Sequence, residues 1–334
     1  MSTIKDVAKL AGVSASTVSR TLSGRIFVEE KTRQRVLEAV EELGYRPNIL
    51  ARGLKQGQTY TIAFLVPDIN SLFYPQIMKA LERAATAKGY SLLLCNNNQS
   101  TEQEQRTLER LAARGVDGIA CMTVSDEAPH LMQLKAAQNM PLVLINRPLP
   151  TTLSSISVDD EQGSYTATRY LLDNGHRRIV ALFGSSKHQR FCDRYEGYRR
   201  ALEECSAPRN AQDHYFDINT VEESYRLALE LFRLPKEERP TALYASMDVL
   251  AIGIYRAASE CGLSVPGDIS VVGFDDIEIS RYMIPSLTTY AAPIDELAQR
   301  SIEALLAQID EPKTMIREIL PGSLIERESV RKLA

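Results

Sequence analysis

Two hydrophobic periods divide the chain. Over residues 3–43 apolar positions recur three or four apart, the period of amphipathic helices, whereas from Tyr60 onward short apolar runs alternate with longer helical patterns. In the first segment Ile4, Val7, Ala8 and Ala11 form one stripe behind Thr3, a capping residue. Gly12 ends that helix, because glycine accepts the left-handed conformation of a tight turn. Val13 fills the space between helices, and Ser14 caps a second helix running through Arg20. Thr17, Val18 and Leu22 make its inner face; Ala15, Ser16, Ser19 and Arg20 make its outer face. A third helix, over 31–43, is expected to turn Val36, Leu37, Val40 and Leu43 to the same core and to stop at Gly44. Two short helices around Gly-Val-Ser make a helix-turn-helix, whose second helix enters a DNA major groove. An enzyme with a three-helix cap shares the bare pattern, but the small polar outer face favours DNA.

Pro47 suits the first turn of a short helix, followed by Ala51, Leu54 and the Arg52 stem. So short a helix is marginal alone. Gln56-Gly57-Gln58-Thr59 has the composition of a linker.

In the body, Thr61–Val66, Ser91–Cys95, Gly118–Met122 and Leu142–Ile145 are expected as buried parallel strands. Helices over 75–88, 101–114 and 130–139 separate them. A second series is expected to open at Ile156–Val158 and to continue through Ile179–Phe183, His214–Phe216, Thr241–Ala245 and Ile269–Phe274. Its helices fall at 162–173, 193–205, 221–232 and 249–260. Such alternation predicts doubly wound α/β architecture, and two series predict two lobes.

Ligands of such sheets bind beyond the carboxyl ends of the strands. The candidates are Asp68, Asn70, Phe73 and Tyr74 after the first strand, and Asn146-Arg147 after the fourth. Asp160, the 185–194 loop with Arg190 and Arg194, Asp248 and Asp275-Asp276 follow later strands. Aromatic rings with carboxylates, amides and an arginine make a sugar-binding set: rings stack on CH faces and polar groups fork onto hydroxyls.

Charge sharpens the division. Residues 1–58 hold ten Lys and Arg against six Asp and Glu, while the whole chain carries a formal charge of −4. A basic head on an acidic body is expected where only one end meets phosphates. The five cysteines, 95, 121, 192, 205 and 261, form no CxxC pair, so neither a zinc site nor a disulfide framework is predicted. No HxxxH, GxSxG or GxxxxGK[ST] occurs, and no metal or cofactor is expected. Lys5, Asp6 and Lys9 interrupt any signal-peptide pattern, and no apolar run approaches the roughly 20 residues of a membrane span. These features predict a cytoplasmic protein without a membrane partner. The acidic pairs Asp159-Asp160 and Asp275-Asp276 keep an enzyme as the rival class, and a solute-binding protein is a third.

The runs Ile4-Lys5-Asp6-Val7-Ala8, Ala11-Gly12-Val13-Ser14, Thr17-Val18-Ser19-Arg20 and Tyr45-Arg46-Pro47-Asn48 resemble the LacI–GalR family of bacterial repressors. The likeness is dense over the first sixty residues and looser beyond. It implies an all-α helix-turn-helix head (1–46), a hinge helix and linker (47–58), and an α/β two-lobed sensor like a periplasmic binding protein, with two doubly wound parallel sheets. The implied lobes are 59–158 with 288–320, and 159–287 with 321–334, the chain crossing between them three times. Ala15 and Ser16 are then placed over bases and Arg20 on a guanine edge. Thr3, Ser14, Thr17, Ser19 and Arg33 are placed on phosphates. The hinge residues Asn48, Ala51 and Leu54 are placed at the minor groove, with Leu54 wedged into a base step.

The resemblance also makes Arg194, in Arg194-Tyr195-Glu196-Gly197-Tyr198, and Asp275, in Val272-Gly273-Phe274-Asp275-Asp276, the effector-binding pair. Three positions depart from the family: Met247 before Asp248 where asparagine is usual, Asn219 where an aromatic is common, and Ala292 before Pro293 where glutamine is common. Those losses of hydroxyl-binding groups, with Lys187, His188, Arg190 and Arg194 crowding one loop, point to a sugar acid or sugar phosphate. The implied protein is a homodimeric repressor on pseudo-palindromic double-stranded operator DNA, released by a small-molecule inducer. A corepressor acting through the same parts with opposite sign is the alternative.

Overall fold

In the computed structural model, which describes residues 2–23, 27–45, 58–147, 152–205 and 213–333, the chain forms two compact units, Met1–Thr59 and Tyr60–Ala334. The first unit starts with a reciprocal cap. Thr3 Oγ1 accepts from Asp6 N–H, and Thr3 N–H donates to Asp6 Oδ2 at 2.8 Å, which opens α1 (Ile4–Ala11). Gly12 ends it at φ 66°, the left-handed turn expected from the sequence. Ser14 Oγ accepts from Thr17 N–H at 3.1 Å and opens α2 (Ala15–Ser23); α3 (Glu30–Glu42) closes the bundle. Val7, Ala8, Ala11, Val18, Val36 and Ala39 form its core, with Val40 and Leu43 packed at the edge. Leu37, expected inside, is 44% exposed. One residue past Val36 lies about 100° further round the helix, off the Val36–Ala39–Val40 stripe. The hinge residues Asn48, Ala51 and Leu54 lie outside the described residues.

The second unit is built on two six-stranded sheets. The first contains β1 (Thr61–Val66), β2 (Ser91–Asn96), β3 (Gly118–Cys121), β4 (Leu142–Ile145), β5 (Ser154–Val158) and β11 (Arg317–Leu320), in the order β11-β5-β4-β3-β1-β2. The second contains β6 (Ile179–Leu182), β7 (His214–Tyr215), β8 (Ala242–Ala245), β9 (Ser270–Phe274), β10 (Thr288–Ala291) and β12 (Ser323–Ile325), in the order β12-β10-β9-β8-β6-β7. Pairing is parallel throughout except between β10 and β12. The middle strands are apolar on both faces because helices cover both. Ile62 through Val66 are at most 1% exposed, each large side chain stabilising the fold by roughly 1.5–3 kcal/mol on burial.

The covering helices are α4 (Tyr74–Ala87), α5 (Thr101–Ala113), α6 (Pro129–Gln138) and α11 (Ile294–Asp310) on the first lobe. Those on the second are α7 (Asp160–Asp173), α8 (Gln189–Glu204), α9 (Val221–Phe232) and α10 (Asp248–Glu260). The chain passes between lobes three times: from β5 to α7, from β10 to α11, and from β11 to β12.

Two expectations are corrected. Ile156–Val158 belongs to the first sheet, where Ile156 pairs with Ile145 of β4, and does not open the second series. The return to the first lobe, expected at residue 288, comes after Ala291, because β10 pairs with β9 through Thr288↔Val272 and Tyr290↔Phe274. The strand run and the following helix are contiguous in sequence, so no turn signal marks which sheet takes the strand.

Candidate functional site

In each sheet one strand order reverses: β1 lies between β2 and β3, and β6 lies between β7 and β8. The crevices at these reversals, beyond the strands' carboxyl ends, are where α/β sheets hold ligands. The loops there are β1–α4, β3–α6, β6–α8 and β8–α10. They face one another across a narrow gap of about 30 Å³ lined by Ser71, Phe73 and Tyr74 from the first lobe and Arg190, Met247 and Asp275 from the second. The lobes approach closely there, and a wider depression of about 500 Å³, lined by Lys79 and Arg83 of the first lobe and Asp276 and Arg281 of the second, opens beside it. A larger depression of this unit, about 780 Å³ beside Arg178, Tyr215 and Pro240, touches none of these loops.

Behind the gap stands a buried ionic cluster. Arg194 is 1% exposed; its Nε donates to Asp160 Oδ1 at 2.7 Å, and a terminal nitrogen lies 3.5 Å from Asp275 Oδ1. Its other terminal nitrogen donates to the Ser246 carbonyl, and its guanidinium stacks 3.5 Å from the centre of the Phe274 ring. Burial works against the arginine's charge, and Asp160 and Asp275 more than offset it. Burial raises the Asp275 carboxyl to about 6, although Arg194 and Arg190 pull it down. Asp275 sits at φ 110°, a backbone region unfavourable to side chains, so this turn stores strain where the chain leaves β9 for the cleft.

Arg190 differs from Arg194. Its guanidinium lies 4.4 Å from the Phe191 ring centre, its Nε is enclosed without a hydrogen bond, and no carboxylate pairs with it among the described residues. Burial, then the charge of Arg147, lowers its pKa to about 10.

Of the residues expected in the cleft, the fold therefore brings Phe73, Tyr74, Arg190 and Asp275 to the gap, with Asp160 and Arg194 beneath. Three others go elsewhere. Asp248 is fully buried: Oδ2 accepts from Ile277 N–H and Ser280 Oγ–H, and Oδ1 accepts from Thr289 Oγ1–H at 2.6 Å, so it pins the turn that follows Asp275. Burial and the charge of Asp275 push its pKa up to about 8 against those three donors. Asn146, 1% exposed, accepts from Val158 N–H and joins the ends of β4 and β5. Asp68 accepts from Asn70 and from Gln99 Nε2, tying two loops of the first lobe together. A strand-end rule names the loop and not the direction of its side chains, which explains all three. The same rule reaches Asp126 after β3, a position absent from the sequence-derived candidates.

In the first unit Ser16, Ser19 and Arg20 are exposed on one side of α2, with Ala15 half-buried at its start and Thr17 turned partly inward. The hydroxyls of Thr3 and Ser14 serve as helix caps. Arg33 is exposed, 3.5 Å from Glu30. Among the described residues no helix is long and apolar enough to cross a membrane, and no His, Cys, Asp and Glu group forms a metal set.

Residues 3–48 match the family described as bacterial regulatory proteins, lacI family, and residues 168–330 match a periplasmic binding protein-like domain. The HTH-type transcriptional repressor PurR of Vibrio campbellii (strain ATCC BAA-1116) is 36% identical over 338 residues, covering all of both chains. The ribose operon repressor of Escherichia coli (strain K12) is 36% identical over 336 residues, covering 98% of this chain and all of that one. The solved lac repressor dimer bound to operator and the anti-inducer ONPF superposes with a TM-score of 0.85 at 28% identity, covering 99% of each chain. These relatives are transcriptional repressors, and the chain belongs to the LacI family of DNA-binding bacterial regulators.

Proposed function

We propose that this regulator is a dimeric repressor released from a pseudo-palindromic operator when its cleft takes up a small polyol bearing a negative charge, a sugar acid or sugar phosphate. The observation that carries the reading is Arg190, a cation turned into the gap whose Nε has no hydrogen-bond partner, with no carboxylate in ion-pair contact among the described residues, and which Arg147 of the opposite lobe repels more than Asp160 attracts. An anionic group at that point compensates the charge, and bidentate geometry suits carboxylate and phosphate alike. Phe73 and Tyr74 supply rings for CH faces, and Asp275 an acceptor for hydroxyls. A relative named for a ribose operon agrees with a small carbohydrate ligand.

In this reading Arg20, Ala15 and Ser16 read bases, Ser19 and Arg33 meet phosphates, and Asn48, Ala51 and Leu54 contact the minor groove. Occupancy of the cleft alters DNA affinity.

A thermal-shift screen of neutral sugars, sugar acids and sugar phosphates tests the ligand class. The expected result is stabilisation by an acidic compound and none by its neutral counterpart, abolished in Arg190→Gln. A neutral sugar that stabilises wild type and Arg190→Gln equally overturns the charge assignment.

A further inference from the structure

The helix that carries Arg190 and Arg194 starts without a cap of its own. His188 precedes α8 in extended conformation, and its side chain bonds to no first-turn amide. Helices α1, α5, α7 and α9, by contrast, follow Thr3, Ser100, Asp159 and Thr220, whose side-chain oxygens accept from their first turns. The acceptor missing at α8 comes from the other lobe. Gln189 N–H donates to Asp126 Oδ2 at 2.6 Å, and His188 Nδ1 lies 3.3 Å from Asp126 Oδ1. Arg147, on Asp126's own lobe, approaches the same oxygen at 3.9 Å.

The loop that presents Asp126 is held from below. Glu104, fully buried, accepts from Thr123 Oγ1–H at 2.7 Å and from Val124 N–H at 2.9 Å. Asn97 Nδ2 donates to the same carboxylate at 3.2 Å, and His130 Nε2 lies 2.7 Å from it. A carboxylate at such depth persists only where donors saturate it, so the network fixes residues 123–124 and positions Asp126 two residues on. The two ends of the contact lie in loops at the reversal points of the two sheets, and Gln189 directly precedes Arg190, so the contact joins the lobes beside the ligand gap.

We infer that Asp126 is an interlobe latch: by capping α8 across the cleft it holds the lobes closed through the protein's own bonds and sets how often the clamp opens. It is a positioning residue for ligand binding. Removing it lowers the population of the closed form and so weakens apparent ligand affinity without deleting a ligand contact. Burial disfavours the Asp126 charge, but the His188 ring, the Gln189 amide and Arg147 outweigh it and keep the carboxylate acidic.

The test needs no ligand and so stands apart from the charge assigned to the effector. In the full-length chain, Asp126→Ala should speed hydrogen exchange at the Gln189 amide by about tenfold or more, the loss of one charge-assisted bond. It should also raise hydroxyl-radical labelling of Tyr74, which is 8% exposed in the closed gap. Asp126→Asn, which keeps an acceptor oxygen, should restore much of both. Faster exchange at Gln189 with unchanged Tyr74 labelling would reduce Asp126 to a local cap and overturn the latch, as would no change in either. Should Asp126→Ala fail to fold, Asp126→Ser, too short to reach α8, carries the same comparison.

Discussion

At the scale of single residues, two charged positions carry separate predictions. Arg20 is exposed on the outer side of α2 beside Ser16 and Ser19, where a guanidinium can fork onto a guanine edge. Arg20→Ala should reduce discrimination between cognate and random duplex by roughly 1–3 kcal/mol, seen in competition binding. An equal loss on both duplexes would make it a phosphate contact. In the sensor, Asp248 has a folded-state pKa near 8 against an ordinary 3.8, and Asp275 one near 6. An acid whose folded pKa is raised contributes stability that is complete below its unfolded pKa and lost as pH rises through the folded one. Melting temperature should therefore fall between about pH 4 and pH 8 by the share due to these two groups, the Asp275 share being lost by about pH 6. Asp275→Asn removes one group and the charge that helps raise the other, so it should flatten that slope; identical slopes would show that neither the titration of Asp275 nor its charge on Asp248 contributes. The roles of Asp248 and Asn146 could not be read from sequence, because a residue at a strand end faces either the ligand or the fold's own turns. Only the donors around Asp248 decide between them.

At the scale of elements, helix starts and strands were legible where capping chemistry and unbroken apolar runs mark them: Thr3 and Ser14 open helices as capping rules require, and β1 and β4 span the apolar runs. Less legible was α8, which begins at Gln189, four residues before the expected 193. Its apolar stripe is weak in the first turn and its cap comes from a residue 63 positions away. The same helix packs against α7 so closely that a β-carbon at Gly197 would lie 2.0 Å from the Glu161 carbonyl oxygen. Gly197→Ala must therefore push two helices apart, at a cost of about 1–3 kcal/mol. The sensor's melting temperature should drop by roughly 2–4 °C per kcal/mol, and an unchanged melt would show that the α7–α8 contact yields freely. Because Asp160 leads α7 and Arg194 lies on α8, the same variant should weaken ligand response.

At the scale of the whole molecule, the basic head and acidic body were plain in the charge distribution, and the doubly wound lobes in the alternation of strands and helices. The second crossover was misplaced by a few residues because β10 chooses its sheet through tertiary pairing with β9, which leaves no local mark. The molecule joins a DNA-reading unit to a sensor whose two lobes meet over an ionic floor, and in the function proposed for it occupancy of the cleft changes grip on DNA. The most direct test is a titration of a duplex enriched from random sequence, against scrambled competitor, with and without a compound that stabilises the sensor. A coupling of about 1–3 kcal/mol predicts that the compound changes affinity for the enriched duplex some 5–150-fold and leaves the scrambled duplex nearly unaffected. Binding to the enriched duplex that is the same whether or not the cleft is filled would contradict the account.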